Sequence, residues 1–306
     1  TRYLTCVKYS GIGNTRSAGR VQTPTLALVV EREKERDAFI PEDYWVITGN
    51  AAPKGDHDEA FTATHATARF KDKADAVMAR IAGASEATVG TIEKKRRKSN
   101  PPAPFNTTSL MAAASSIGIK PARTMRIAES LYMNGYTSYP RVDNTVYPDN
   151  LDLREVLGIL AKVPDFREGA EELLAKGKLT ATRGKQETTD HPPIYPTGAA
   201  DPDKLRPEEW KLYSLICRRF MATLSEAAVL ESTKVTLDVA GEAFTARGDV
   251  LVEPGYRSVY PYGLKKDEQM PPLTEGQTLD FWDADCAHKQ TEPPARFSSG
   301  KLVQEM

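Results

Sequence analysis

Between Ser99 and Pro104 the chain reads S-N-P-P-A-P. Proline lacks a backbone N–H and fixes φ, so this run suits neither a helix interior nor a central strand and reads as a stiff, extended linker. The hydrophobic period changes across it. Before it, Tyr44–Thr48, Glu59–Phe70 and Ala87–Glu93 have strand character, with an amphipathic helix over Lys73–Ala82. After it come helical patterns: one from an Asn106 or Thr107 cap to about Ile117, then Pro121–Asn134, Asp149–Leu160, Pro164–Lys176 and Pro207–Ala227. Strand character returns over Val229–Gly248, with a turn at Ala240–Glu242, and again over Thr278–Trp282. A helical unit is therefore inserted into a discontinuous β region, and 306 residues leave room for two or three domains.

At the ends the patterns are helical. Gly11–Asn14 reads as a loop and Ser17 as the cap of a helix whose apolar body, Val21 to Val30, predicts burial against another element. Arg20 and Gln22 fall in its first turns, where backbone donors and the helix dipole favour an anion. A basic helix start that only packs is the plainer alternative. Pro293–Met306 starts a further helix.

Net charge is −1, which does not mark a non-specific nucleic-acid binder, but the charge is unevenly spread. Glu93 to Asp143 holds nine basic residues against three acids, the footprint of a phosphate-binding face. A solvated run at Lys94–Lys98 accounts for five of the nine. Cys6, Cys217 and Cys286 are odd in number and far apart, which argues for reduced thiols and against disulfides or a zinc site. No apolar run approaches membrane-span length and no leader pattern opens the chain, so a cytoplasmic protein with no membrane partner is expected. Asp56–Glu59 looks like a metal cluster but reads more simply as a hairpin tip.

The chemistry concentrates in Met133 to Tyr147, M-N-G-Y-T-S-Y-P-R-V-D-N-T-V-Y. Gly135 suits the left-handed position after a helix end. Tyr136–Tyr139 reads as a short strand that Pro140 stops. A phenol of pKa ~10 is a poor nucleophile unless a neighbouring positive charge or base lowers that value. Arg141 is such a charge and can fork onto two phosphate oxygens. A core tyrosine with a surface arginine is the alternative. The preceding helix should bury Met125, Ala128, Leu131 and Tyr132, leaving Arg123 and Arg126 near the opposite side as expected DNA contacts. Helix, glycine turn, basic helix and strand together read as a helix-turn-helix with a wing. Further on, prolines at 192, 193 and 196 hold His191 in a rigid loop, where it either contacts a ligand or is merely exposed.

Six ordered segments, S-A-G-R-V-Q-T-P-T-L (Ser17–Leu26), P-E-D-Y-W (Pro41–Trp45), P-A-P-F-N-T-T-S-L (Pro102–Leu110), A-E-S-L-Y-M-N-G-Y-T-S-Y-P-R-V-D-N (Ala128–Asn144), H-P-P-I-Y-P-T (His191–Thr197) and P-P-A-R-F-S (Pro293–Ser298), resemble the type IA DNA topoisomerases, closest to the archaeal topoisomerase I and topoisomerase III pattern. The resemblance implies a multidomain α+β chain. Residues 41–100 and 228–290 would form a β-rich arch, and 101–227 an inserted, winged-helix or CAP-like gate. Residues 1–40 would belong to a helical base domain to which 291–306 returns. It further implies that Tyr139 attacks one DNA strand and holds its 5′ end as a phosphotyrosine while a strand passes, then reseals it, relaxing negative supercoils without ATP. Arg141 would neutralise the scissile phosphate, Asp143 order that turn, and His191, Arg20 and Gln22 contact the strand. The partners implied are single-stranded and negatively supercoiled DNA, bound by a monomer. Mg²⁺ would sit in an N-terminal Toprim domain, so the chain reads as a central fragment with no metal site of its own, inactive alone. A non-catalytic winged-helix DNA-binding protein is the competing reading.

Overall fold

A computed structural model describes residues 19, 21–72, 74–263 and 270–306. Arg20, Ser17, the Gly11–Asn14 loop and Cys6 lie outside them. Six strands, β1 (Asp43–Pro53), β2 (Phe61–His65), β3 (Glu86–Ser99), β4 (Ala228–Val239), β5 (Glu242–Glu253) and β6 (Thr278–Gln290), close into a barrel in the order β1-β2-β5-β4-β3-β6. Every pairing is antiparallel. Alternating small and large residues fill the inside: Ile47, Ala51, Ala63, Val89, Leu237, Phe244 and Phe281 are buried. Gly49 has no room for a side chain, since a Cβ there would lie 2.3 Å from the Phe281 ring. The short helix α2 (Asp75–Ile81) adds Val77 and Ile81 to this core.

The strands run longer than the periodicity predicts. β3 carries the whole basic run, because opposing acids make a charged strand tolerable: Arg96 sits opposite Glu231 in register and bonds it at 2.9 Å, and Arg97 reaches Asp249 at 3.2 Å. The Lys94–Lys98 run is therefore barrel wall, and two of its charges are paired.

The helical unit comprises α3 (Thr107–Ser116), α4 (Pro121–Met133), α5 (Leu153–Leu160), α6 (Pro164–Leu174) and α7 (Pro207–Thr223), around a separate core that includes Phe105, Leu131, Leu157, Phe166, Leu212 and Phe220. Val259 and Tyr260, which follow β5, belong to this core and not to the barrel's. Asn106 caps α3 through a capping box with Ser109. α5 starts at Leu153 instead of near Asp149, because the Asp152 carboxylate takes the N–H groups of Arg154 and Glu155.

Three expectations are corrected. The helix α1 (Gln22–Asp37) has no buried residue, and Val21 and Leu26 are each 62% exposed, because it lies on the surface of the described residues, tied at its far end by Arg32 and Arg36 to the carbonyls of Ala295 and Pro294. α4 buries Thr124, Ile127, Ala128 and Leu131; Tyr132 is exposed, so the inward stripe is rotated from the expected one. Residues 136–139 are not a strand. Thr137 makes one isolated bridge to Pro196, because Pro140 and the prolines of the facing segment cannot extend a ladder. The last helix, α8 (Ser299–Glu305), lies against α3, where Gly300 meets Ser115 with almost no room for a Cβ.

Candidate active site

Gly135 takes φ +74° just beyond α4, and the N–H of Tyr136 returns to the Leu131 carbonyl, which ends the helix and aims the chain at the 194–198 segment. Ser138, buried, is held on both sides: its N–H donates to the Tyr195 carbonyl at 2.9 Å and its hydroxyl to the Pro193 carbonyl at 3.2 Å. Tyr139, next along an extended backbone, therefore turns the other way and stays partly exposed. Its ring packs edge-on to Tyr132 at 5.4 Å and lies 5.0 Å from the His191 ring. Its hydroxyl bonds no described residue.

The turn after it is clamped by α3. The Thr107 hydroxyl donates to the Pro140 carbonyl (2.8 Å) and accepts from the Val142 N–H (2.8 Å), and the Thr107 N–H donates to the Val142 carbonyl (2.9 Å). One threonine thus fixes three consecutive peptide units between the tyrosine and Asp143. Buried Asn144 binds the histidine loop from the other side: its amide donates to the carbonyls of Thr188 (2.8 Å) and His191 (3.0 Å), and its oxygen accepts from Val146. The proline-rich loop and the tyrosine turn are therefore one rigid unit. Thr188 also donates to the Asp190 carboxylate, which holds that acid's pKa below its ordinary value.

Arg141 points its guanidinium at Glu129 on α4, with Nε 2.9 Å from Oε1 and Nη2 on the same oxygen. That hydrogen bond and charge raise the arginine's pKa. Glu129 and Tyr132 are i, i+3 neighbours, so one exposed face of α4 supplies both the partner of Arg141 and the ring beside Tyr139. The expectation of Tyr132 as core hid this face, and Thr107, Asn144 and Glu129 went unrecognised. The place of Thr107 at the first residue of α3 and the i, i+3 spacing were the signals available.

Of the other expected contacts, Arg126 is exposed with no hydrogen-bond partner among the described residues, whereas Arg123 is occupied by Glu208 at 2.6 and 2.8 Å. Asp143 is exposed, and its carbonyl takes a long hydrogen bond of 3.4 Å from the Asn106 amide. Gln22 is exposed at the first residue of α1. Among the described residues no group of three His, Cys, Asp or Glu is placed to hold a metal ion. Asp283 and Asp285 sit at a register slip in β6, where Asp283 has φ +52°. The described residues therefore do not fit a Mg²⁺ site.

A family model described as DNA topoisomerase matches residues 1–306. The DNA topoisomerase 1 of Archaeoglobus fulgidus is 42% identical over 292 residues, covering 95% of this chain and 42% of that protein. The DNA topoisomerase 3-beta of Drosophila melanogaster is 33% identical, covering 95% of this chain and 33% of the other. Among solved structures, full-length topoisomerase I from Thermotoga maritima superposes with a TM-score of 0.73 at 26% identity, over 96% of this chain and 48% of that one. The chain spans less than half the length of each of these relatives.

Proposed function

The chain belongs to the type IA DNA topoisomerase family, and from that premise we propose that it carries the nucleophile of a longer enzyme that cuts and reseals one DNA strand. The observation that carries this reading is the Tyr139 turn: a part-exposed phenol with a free hydroxyl, clamped by Thr107 and Asn144 and flanked by His191 and Arg141. Rigid support on both sides matches what an in-line attack on phosphorus requires of its nucleophile.

In the forward step the Tyr139 oxygen forms a bond to phosphorus, the P–O3′ bond breaks, and the phenolic proton is passed on so that the 3′ oxygen leaves as a hydroxyl. The strand's 5′ end stays on Tyr139 as a phosphodiester. The reverse step returns the strand to the 3′ hydroxyl, and since one phosphodiester is exchanged for another, no ATP is needed. Arg141 serves the phosphate oxygens once the strand competes with Glu129 for its guanidinium. His191, 5.0 Å from the tyrosine ring, serves as a second donor to the same phosphate. Gln22, Arg20, Arg126 and Asp143 are assigned to the strand's approach. The Mg²⁺ of the family belongs, on this reading, to acids outside the described residues, and no step here runs through it.

The same reading divides the chain into an arch (41–100 and 228–290, the barrel), a gate (101–227) and part of a base domain (1–40 with 291–306). The segment carrying Val259 and Tyr260 counts with the gate, because it fills that core. α3, the Gly118 turn and α4 form the helix-turn-helix of a winged-helix-like gate, with the extended 136–139 segment where a wing strand would lie. Single-stranded and negatively supercoiled DNA are the substrates proposed.

The test is a cleavage assay on a single-stranded oligonucleotide with Mg²⁺, using the longer enzyme proposed. Tyr139→Phe is expected to abolish the covalent adduct while strand binding stays within about twofold, the phenol not being a main phosphate contact. Undiminished adduct in that variant overturns the assignment.

A further inference from the structure

Residues 143–146 divide their side chains between two cavities. Asn144 and Val146 line the one that contains His191, which belongs to the site already described. Asp143 and Thr145 line another, of about 500 Å³, bordered also by Val303, Gln304 and Met306 at the end of α8 and by Arg219 of α7. Apart from Asp143, assigned above to the strand's approach, no residue of this second cavity enters the proposed chemistry.

Arg219 is the unusual member. Its guanidinium carbon lies 4.1 Å from the Phe105 ring centre and 5.0 Å from that of Tyr260. Its Nε is buried and has no hydrogen-bond partner among the described residues. Its neighbours include the neutral phenols of Tyr260, Tyr147 and Tyr256, no carboxylate pairs with it among the described residues, and burial holds its pKa below the ordinary arginine value. Arg123, Arg141, Arg206 and Arg296 each pair with a glutamate, whereas Arg219 and Arg257 each keep a buried Nε without a partner among the described residues, and of these two it is Arg219 that lines this cavity. Aromatic contact eases the burial of a cation but gives the buried Nε–H no acceptor, and a guanidinium cannot escape by losing its proton. What is missing is an in-plane acceptor with two oxygens, which is the shape of a phosphate.

We infer that this cavity binds one nucleotide unit, with its phosphate on Arg219. Thr108 supplies a hydroxyl at the same wall. The Asp143 carboxylate accepts from base N–H groups and repels a second phosphate, so a single nucleotide fits and a polyphosphate does not. The volume lies within the range of small-molecule sites, ~300–1,000 Å³. The phosphate can come from a strand threaded past the tyrosine or from a free nucleotide. This inference rests on the strand-binding reading above and adds a contact on the opposite side of the 143–146 segment.

The test follows binding of a labelled single-stranded oligonucleotide to the 306-residue chain by anisotropy across a salt series, for wild type, Arg219→Gln and Thr108→Glu. Thr108 lies in the first turn of α3, where an added acid suits the helix dipole, so that variant keeps the fold even if loss of the core cation does not. Both variants are expected to bind more weakly, with the slope of log K against log salt shallower by about 0.7, the contribution of one single-strand phosphate. A parallel thermal-shift series compares a 5′-deoxymononucleotide with its nucleoside. Stabilisation by the nucleotide alone, lost in both variants, identifies a site that also holds free nucleotide; a changed slope without that stabilisation identifies a strand phosphate. Oligonucleotide binding with an unchanged slope in both variants, and no nucleotide effect, overturns the inference and leaves the strand-binding reading intact. Failure of the wild type to bind strand or nucleotide overturns both.

Discussion

The residue that couples the proposed site to the body of the helical unit is Glu209. It is 7% exposed, accepts from the N–H and guanidinium of Arg206 at the start of α7, and takes a 3.3 Å hydrogen bond from Ser130 on α4, next to Glu129. Arg206 and its neighbours lower the Glu209 pKa from 4.5 to about 2. A carboxyl whose folded pKa lies below its unfolded value adds stability in full above that unfolded value and loses it as pH falls toward the folded one. Stability is therefore expected to drop between about pH 4.5 and pH 2 through this group. Glu209→Gln, which keeps the shape and loses the charge, should cost about 1.5–3 kcal/mol at neutral pH and flatten that acid limb. Urea denaturation at a series of pH values reads both effects, and an equally steep limb in the variant would assign the acid sensitivity elsewhere. The helix start at Pro207 was legible, but the link from Glu209 to α4 was not, because 79 residues separate Glu209 from Ser130.

Two glycines inside helices show what an element's sequence does and does not reveal. Gly158 in α5 and Gly169 in α6 look alike as isolated glycines in helical patterns, each costing ~1 kcal/mol against alanine by propensity. A Cβ at Gly158 meets nothing within 4 Å, whereas at Gly169 it would lie 2.8 Å from Cγ1 of Val259 and 3.5 Å from Sδ of Met221. Gly158→Ala is expected to stabilise the chain by about 0.5–1 kcal/mol. Gly169→Ala should destabilise it by about 1–3 kcal/mol, since a β-branched valine cannot swing aside. Thermal melts of the two variants decide it, and a gain in both would mean that the 255–259 segment yields freely. The same contrast explains which elements were readable. The α3 cap, Pro121 at the start of α4 and the Gly135 stop are written in local chemistry, and the structure has them where the sequence suggests. The Tyr136–Tyr139 strand failed because strand residues without a partner able to extend the ladder give only a bridge. The face of α4 was misjudged by about one position, since which of two apolar stripes turns inward depends on α7 and α3, not on α4.

At the scale of the molecule, the separation into two cores followed from the change of period at the Pro-rich run, but the closed barrel did not. Closure needs β1 beside β6 and β3 beside both β4 and β6, with Tyr44 opposite Lys289 and Glu86 opposite Asp280. Strand patterns carry no record of partners so distant. Nor does any pattern tell that the chain leaving β5 dips into the helical core through Val259 and Tyr260 before returning to the barrel. If the two cores open independently, as the proposed arch and gate require, damage to one should stay local. Phe244, fully buried in the barrel, and Leu157, fully buried among the helices, are the matched probes. Phe244→Ala should cost about 3–5 kcal/mol and Leu157→Ala about 2–5 kcal/mol, each by cavity formation. In native-state hydrogen exchange, Phe244→Ala is expected to lower protection of the β4 and β5 amides while those of α7 stay near wild type. Leu157→Ala should do the reverse and should also expose the Tyr260 amide, which bonds the Tyr256 carbonyl. Equal loss of protection in both regions from either substitution would make barrel and helices a single cooperative unit. That result would leave no weak junction at which the proposed gate could swing away from the arch.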